Sequence, residues 1–169
     1  VGRLHPQKNH DFLIDVFKEI KKRRADAELI LVGTGPLEEK IKNKVAEIEL
    51  SESVHFLGNR KDMNRIFQAM DVFVFPSLFE GLGIVAIEAQ AAGIPLVCSE
   101  GLPPETDITP LYTKIQLSAG AKKWSEEALR ISRSSYAHTN TQKYVIDAGF
   151  DMSATAKKME EYYIEKSKR

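Results

Sequence analysis

The sequence predicts an α/β fold in which helices cover both faces of a doubly wound parallel β-sheet. Short, continuous apolar runs alternate with helical patterns over residues 1–98. Continuous apolar strands are typical of a sheet buried on both faces, and strands that alternate with helices favour parallel pairing. The length of 169 residues suffices for a single domain with a sizeable core.

The strands are predicted from apolar runs that end at glycine, proline or polar residues. They lie at Glu28–Val32, Val54–Leu57, Val72–Phe75, Pro95–Cys98 and, as an edge strand, Thr113–Leu117. Val1–Arg3 is interpreted as the end of a further strand, so we expect the chain to be part of a larger protein. The carboxyl ends of parallel strands share one edge, where ligands bind. The loops at 2–8, 33–36, 58–61 and 76–83 should therefore form one rim.

The helices are predicted from apolar residues at helical spacing and from boundary residues. They are expected at 8–23, 36–50, 62–69, 84–92, 122–135 and 153–168. Pro36 suits the first turn of the second helix, and Ser153 is a candidate N-cap of the last. That last helix carries an apolar stripe of Met159, Tyr162, Tyr163 and Ile164. Residues 99–110 are predicted as an irregular loop.

Composition narrows the functional class. Lysine plus arginine and aspartate plus glutamate both total 24, which argues against a dedicated nucleic-acid binder. The single cysteine, Cys98, lies in an apolar run and is expected to be a core residue. No apolar run is long enough to span a bilayer, and no signal peptide is visible. The histidines lack metal-ligand spacing, so no metal site is predicted.

Two carboxylates stand out, Glu80 in the loop after the strand at 72–75 and Glu88 in the following apolar helix. An ionised carboxylate is costly to bury without a partner. We expect Glu88 to lie in a buried helix. Two such acids on either side of a glycine turn indicate a polyol ligand.

Several segments in order resemble the C-terminal half of a retaining glycosyltransferase of family 4 with the GT-B architecture. They are GRL at 2–4, KN at 8–9, LVGTGP at 31–36, VHFLG at 54–58, DVFVFPS at 71–77, and the pair of acids Glu80 and Glu88. The later part of the chain resembles the bacterial exopolysaccharide and capsule branch. The resemblance implies a Rossmann-like domain, residues 1–169 with a C-terminal helix at 151–169, that binds a nucleotide sugar. The acceptor domain would be a separate N-terminal half.

The resemblance also implies roles for residues. Arg3 and Lys8 would clamp the donor diphosphate and, with Glu80, form the catalytic set. Taken alone, the two cations would be ordinary surface residues. Glu80 would position the donor sugar and Glu88 would bind the ribose. The full binding set is Gly2, Arg3, Lys8, Asn59, Arg60, Glu80, Gly81, Leu82, Gly83, Ile84, Val85 and Glu88.

The expected function is donor binding in metal-independent sugar transfer from a nucleotide sugar, taken as a UDP-sugar, for cell-surface polysaccharide synthesis. No cofactor is expected. A nucleotide-sugar epimerase-like enzyme half and a non-catalytic nucleotide-sugar-binding module are the alternatives. The expected location is cytoplasmic, with association at the inner membrane face through the missing half left open. Residues 99–106 lack the paired glycines common in the family, which leaves the donor sugar open.

Overall fold

The computed structural model describes residues 1–133 and 140–167 and confirms an α/β fold with parallel strands. The strands are β1 Leu29–Leu31, β2 Val54–Phe56, β3 Phe73–Phe75, β4 Leu96–Ser99 and β5 Tyr112–Ile115. The helices are α1 His10–Lys21, α2 Glu38–Glu47, α3 Met63–Gln68, α4 Ile84–Ala91, α5 Gly120–Ile131, α6 Gln142–Asp147 and α7 Met152–Ser167. Short 3-10 turns at 6–8, 51–53, 104–106 and 117–119 connect them.

The strands form two parallel groups. In one group β1 pairs with β2, so that Ile30 lies opposite His55. In the other the order is β3-β4-β5, and Val97 lies between Val74 and Thr113. Parallel strands need crossover connections. Helix α2 supplies the one between β1 and β2 and helix α4 the one between β3 and β4, whereas β4 and β5 are connected by a loop with the 3-10 turn at 104–106.

The start of the chain runs beside the end of β1. The Gly2 amide donates to the Val32 carbonyl at 2.8 Å and the Leu4 amide to the Thr34 carbonyl at 3.0 Å. This is the spacing of a strand pairing, although residues 1–3 are not assigned as a strand. A cavity of about 420 Å³ lies between β1 and β3, with Val1 in its lining.

Three apolar clusters hold the helices to the strands. The first packs α4 on β3 and β4 through Phe73, Phe75 and Ala89, with the buried Cys98 among its members. The second packs α1 and α2 on β1. The third packs α5 and α1 against Val97 of β4, and Trp124 is fully buried there. Burial of this apolar surface is the main favourable contribution to the free energy of folding.

Several predicted boundaries differ from the structure. Helix α2 begins at Glu38 instead of Pro36, because residues 36 and 37 form a turn. Helix α5 begins at Gly120 and ends at Ile131, and residues 134–135 of its predicted span lie outside the described residues. Helix α6 was not predicted, because its six residues carry no buried apolar position.

The last helix begins differently from its prediction. The Ala154 amide donates to the Asp151 carboxylate at 2.7 Å, so Asp151, and not Ser153, takes the N-cap role. Its residues Met159, Tyr162, Tyr163 and Ile164 are exposed, so the predicted stripe contributes nothing to the described core. Lys168, the predicted end of the helix, lies outside the described residues.

The helices that the structure describes include none with the length and apolar character needed to cross a bilayer.

Candidate functional site

The loops predicted to share a rim are joined by backbone hydrogen bonds. The Gly33 amide donates to the Gly58 carbonyl at 2.8 Å, which links the loops that follow β1 and β2. The Leu78 amide donates to the Gln7 carbonyl at 2.8 Å, which links the loop after β3 to residues 5–8. The sheet therefore brings together segments that are distant in sequence.

Lys8 and Glu80, which lie on two of these joined loops, form an ion pair. Lys8 Nζ lies 2.7 Å from Glu80 Oε1, and the two side chains are only 17% and 7% exposed. The ammonium group also lies 4.8 Å from the centre of the Phe75 ring, a cation–π contact. Because both charges are largely withdrawn from water, each depends on the other for compensation. Sequence reasoning selected both residues but not their contact.

Gln7 ties together the two loops that carry this ion pair. Besides accepting from Leu78 through its carbonyl, it donates from Nε2 to the Phe79 carbonyl at 2.9 Å. These two bonds flank the Lys8–Glu80 contact. Gln7 was not among the predicted site residues, because a glutamine between two cations gives no signal until its distant partner is known.

Residues 99–101 hold the Glu80 loop from the other side. The Glu80 amide donates to the Gly101 carbonyl at 2.9 Å, and the Ser99 hydroxyl donates to the Ser77 carbonyl. A Cβ at position 101 would collide with the Leu78 carbonyl oxygen, so glycine permits this close approach. The loop that departs from the family pattern thus still supports the carboxylate.

A pocket of about 370 Å³ lies beside the ion pair. Its lining residues are Val1, Gly2, Arg3, Val32, Gly33, Thr34, Asn59, Arg60 and Met63. Gly2 joins the pocket to the ion pair, because a Cβ at this position would lie 3.2 Å from Lys8 Cε. Four predicted binding residues therefore surround one pocket: Gly2, Arg3, Asn59 and Arg60.

The polar side chains of this pocket differ in their freedom to bind a ligand. Arg60 donates to both oxygens of Asp62, at 2.8 and 2.6 Å. This bidentate hydrogen bonding raises the pKa of Arg60 and lowers the pKa of Asp62 to about 2. Thr34 donates to Asn59 Oδ1 at 3.4 Å. Arg3 is exposed, and its guanidinium makes no hydrogen bond or ion pair with the described residues.

Helix α4 begins directly after the Glu80 loop. Its N-cap residue, Gly83, has φ 70°, and no side chain caps the first turn. The free amides of such a turn attract anions. Gly81, Leu82 and Ile84 are exposed, whereas Val85 is half-buried. A Cβ at Gly83 would lie 3.7 Å from the Glu80 side chain, which places the helix start against the ion pair.

Helix α4 buries one face as predicted, but Glu88 itself is exposed, so the expectation that this carboxylate is buried is wrong. The apolar residues of α4 do not surround it, because Ala86, Ile87 and Ala89 face the core while Glu88 faces solvent. Its carboxylate forms no hydrogen bond or ion pair with residues 1–133 or 140–167. It is therefore an exposed acceptor on the helix that begins at the rim.

The buried polar residue of α4 is Gln90. Its amide donates to the Ala86 and Thr106 carbonyls at 3.0 and 2.8 Å and accepts from the Thr109 hydroxyl at 2.9 Å. The Thr141 hydroxyl donates to the Gln90 carbonyl at 2.7 Å. This network fixes the C-terminal half of α4 to the segment that follows β4.

Two buried polar atoms near the rim have no partner in the described part of the chain. They are His10 Nδ1 and Ser77 Oγ. Burial lowers the pKa of His10 to about 4, with a smaller effect of nearby positive charge that includes Lys8. Within residues 1–133 and 140–167, no three His, Cys, Asp or Glu side chains are grouped so that they could hold a metal ion.

The model of the family described as glycosyl transferases group 1 matches residues 1–145. EpsF of Bacillus subtilis (strain 168), which bears a glycosyltransferase name, is 37% identical over 131 residues, covering 77% of this chain and 34% of that protein. The UDP-Gal:alpha-D-GlcNAc-diphosphoundecaprenol alpha-1,3-galactosyltransferase of Escherichia coli is 38% identical over 102 residues, covering 59% and 26%. A GDP-mannose-dependent mannosyltransferase of Corynebacterium glutamicum is 35% identical over 135 residues, covering 74% and 35%.

Solved structures share the fold. TarM of S. aureus, in a complex that includes UDP, superposes with a TM-score of 0.81 at 18% identity, over 95% of this chain and 34% of that one. Anabaena HepE in complex with UDP gives 0.78 at 20% identity, over 97% and 47%. The C-terminal domain of LpcC from Francisella tularensis gives 0.74 at 20% identity, over 90% and 84%. The chain spans only about a third of EpsF and the Corynebacterium enzyme and about a quarter of the E. coli enzyme.

Proposed function

The chain belongs to the glycosyl transferases group 1 family, and from this we propose that it is the donor-binding part of a retaining, metal-independent glycosyltransferase of family 4. The observation that carries the proposal is the rim on which the Lys8–Glu80 pair, the free Arg3 and the start of α4 lie beside a pocket of about 370 Å³. Cations, free amides and an acid at one edge match a diphosphate joined to a sugar.

The cationic groups would bind the diphosphate. Arg3 offers a planar pair of donors and is exposed, whereas Lys8 offers a point charge. The free amides that follow Gly83 add a second set of donors. Positive groups at this place offset the charge that develops on the leaving phosphate, which is why we propose sugar transfer without a metal ion.

The carboxylates would bind the hydroxyl groups of the donor. Glu80 would position the sugar, and Glu88 would accept hydrogen bonds from the ribose hydroxyls. Exposure of Glu88 supports this role, because an acceptor without a protein partner is available to a ligand. The pocket lined by Asn59 and Arg60 would take the base. Because the Arg60 guanidinium is already hydrogen-bonded to Asp62, contact with the base would come from the backbone or from Asn59.

We propose a UDP-sugar as donor and cell-surface polysaccharide assembly as the pathway. Solved relatives with UDP support the first, and a relative named for a diphosphoundecaprenol acceptor supports the second. The acceptor would bind a second, N-terminal domain, and this chain alone would bind nucleotide but transfer no sugar. The cytoplasm is the proposed location.

Titration calorimetry tests this function directly. UDP and UDP-sugars should bind the wild-type chain, and Glu88→Ala should lose roughly tenfold or more in affinity, the effect of a charge-assisted pair of hydrogen bonds. GDP and ADP serve as competitors that identify the base. Absence of binding by folded wild-type protein, or equal binding by the Glu88 variant, would contradict the proposed site.

A further inference from the structure

The Lys8–Glu80 pair presents a problem for an anion-binding site. Lys8 is the more sheltered of the two proposed diphosphate cations, yet its Nζ is 2.7 Å from a carboxylate. The two charges of such an ion pair largely cancel at the position of a bound ligand. Arg3 is therefore the only cation without a counter-ion among the proposed diphosphate-binding residues of the described chain.

The backbone on each side of the pair is fixed, but the pair itself is joined through side chains alone. Gln7 ties the loop at 5–8 to the loop at 78–80, and Gly101 holds the Glu80 amide. The Lys8 side chain has several rotatable bonds and three donors, of which the structure pairs one with Glu80. Lys8 can therefore change partner by side-chain rotation without movement of either loop.

We propose that Glu80 is an internal counter-ion that holds Lys8 in the empty site and releases it to the diphosphate of the donor. The inference rests on the proposed function and gives Glu80 a task that precedes contact with the sugar. Glu80 neutralises a largely buried ammonium group while no ligand is present. When phosphate oxygens replace it as the partner of Lys8, the carboxylate becomes free to accept hydrogen bonds from sugar hydroxyls.

The exchange links the two halves of the donor. A nucleotide without a sugar must break the pair and leaves Glu80 without a partner, whereas a sugar nucleotide supplies hydroxyl groups in return. The site should therefore favour the intact donor over the spent nucleotide diphosphate. This difference in affinity would follow from one ion pair, without a moving lid.

Binding of inorganic pyrophosphate tests the exchange with a probe that has neither base nor sugar. Glu80→Gln keeps an oxygen that can accept from Lys8 but removes the charge that masks it. The variant should bind pyrophosphate and UDP roughly tenfold more tightly than wild type, the equivalent of about 1.4 kcal/mol. It should gain less for a UDP-sugar, because the proposed charged acceptor for the sugar is also lost.

The matched control is Glu126→Gln. This change also removes the carboxylate partner of a cation, since Glu126 Oε1 lies 2.9 Å from the Arg23 guanidinium. It alters the net charge equally, but away from the rim. Pyrophosphate affinity should change by less than twofold. A gain equal to that of Glu80→Gln would show a general charge effect and would overturn the proposal.

The chemical shift of the Lys8 ammonium group in a ¹H–¹⁵N spectrum depends on which group is its partner. The Lys8→Gln variant, which lacks this signal, identifies it. Free wild type and free Glu80→Gln should differ in this signal. Saturating pyrophosphate should reduce the difference by more than half, because Lys8 then has the same partner in both. A difference that persists undiminished means that the pair survives binding, and the proposal fails.

These binding experiments distinguish failure of the proposed exchange from failure of the proposed nucleotide-binding function. Wild type that binds UDP, together with a Glu80 variant that binds UDP and pyrophosphate no more tightly, retains the nucleotide site but rejects the exchange. A gain for pyrophosphate without preference for UDP over pyrophosphate supports the exchange and rejects the nucleotide site. If Glu80→Gln does not fold, Glu80→Asp, which shortens the side chain, should show a smaller gain of the same sign; no gain rejects the proposal.

Discussion

Gln7 and Phe79 are joined across 72 positions of sequence by a hydrogen bond of 2.9 Å from the Gln7 side chain to the Phe79 carbonyl. The bond connects the loop that carries Lys8 to the loop that carries Glu80. The distance between the Lys8 and Glu80 side chains therefore depends on the two loops being held together, and not on either loop alone.

Gln7→Ala should weaken binding of UDP by roughly threefold to tenfold while it lowers the free energy of unfolding by only about 1 kcal/mol. The substitution removes one hydrogen bond and loosens the registry of Lys8 with Glu80. Calorimetry and urea denaturation measure the two effects. Gln116→Ala is the control, since this exposed side chain forms no hydrogen bond in the described structure. A loss of stability without a loss of affinity would contradict the positioning role.

Gly101→Ala should destabilise the domain by roughly 1–3 kcal/mol, because a Cβ there collides with the Leu78 carbonyl and forces the backbone to shift. Guanidinium denaturation measures the change. Gly81→Ala is the matched control, as a Cβ at position 81 meets no atom within 4 Å. Equal effects of the two alanines would show that residue 101 is not closely packed under the Glu80 loop.

Gln90→Leu should cost about 3 kcal/mol of stability. The leucine leaves the Thr109 hydroxyl and the Thr106 carbonyl without their partner inside the core, and an unpaired buried polar group is more costly than a missing bond. Gln68→Leu provides the comparison, because Gln68 is exposed and its amide reaches the Ala92 carbonyl only at 3.4 Å. Similar midpoints in urea for both variants would argue against the network.

His10 should make the domain less stable as pH falls from about 6.5 to about 4. Burial lowers its folded pKa to about 4 from the ordinary value of 6.5, so in this window the unfolded chain binds a proton that the folded chain does not. The loss is at most roughly 3.5 kcal/mol, since one pKa unit corresponds to about 1.4 kcal/mol. Below the folded pKa the loss levels off.

His10→Leu should flatten this part of the pH profile, measured as the free energy of unfolding in urea at several pH values. His5→Gln replaces an exposed histidine and should leave the slope unchanged. A profile with the same slope in the His10 variant would assign the acid sensitivity to other groups.

The sequence alone determined the α/β layout of the fold and the sheet edge that carries the candidate site residues. Apolar runs predicted β1 to β5 within a few residues, because strands buried on both faces carry a strong local signal. Because the carboxyl ends of parallel strands share one edge, the loops after the predicted strands then placed Arg3, Lys8 and Glu80 on one rim. Short elements with a weak local pattern were missed. An example is helix α6, which has only six residues and buries none of them.

Only the tertiary structure decided the partners and the exposure of these residues. Glu88 was expected to be buried because its neighbours are apolar, yet the helix turns it to solvent and buries Gln90 instead. The Lys8–Glu80 ion pair, the Gln7 bond and the support by Gly101 each join residues far apart in sequence. Sequence periodicity indicates which side chains are buried, whereas the packing of loops against one another decides which charged side chains form pairs.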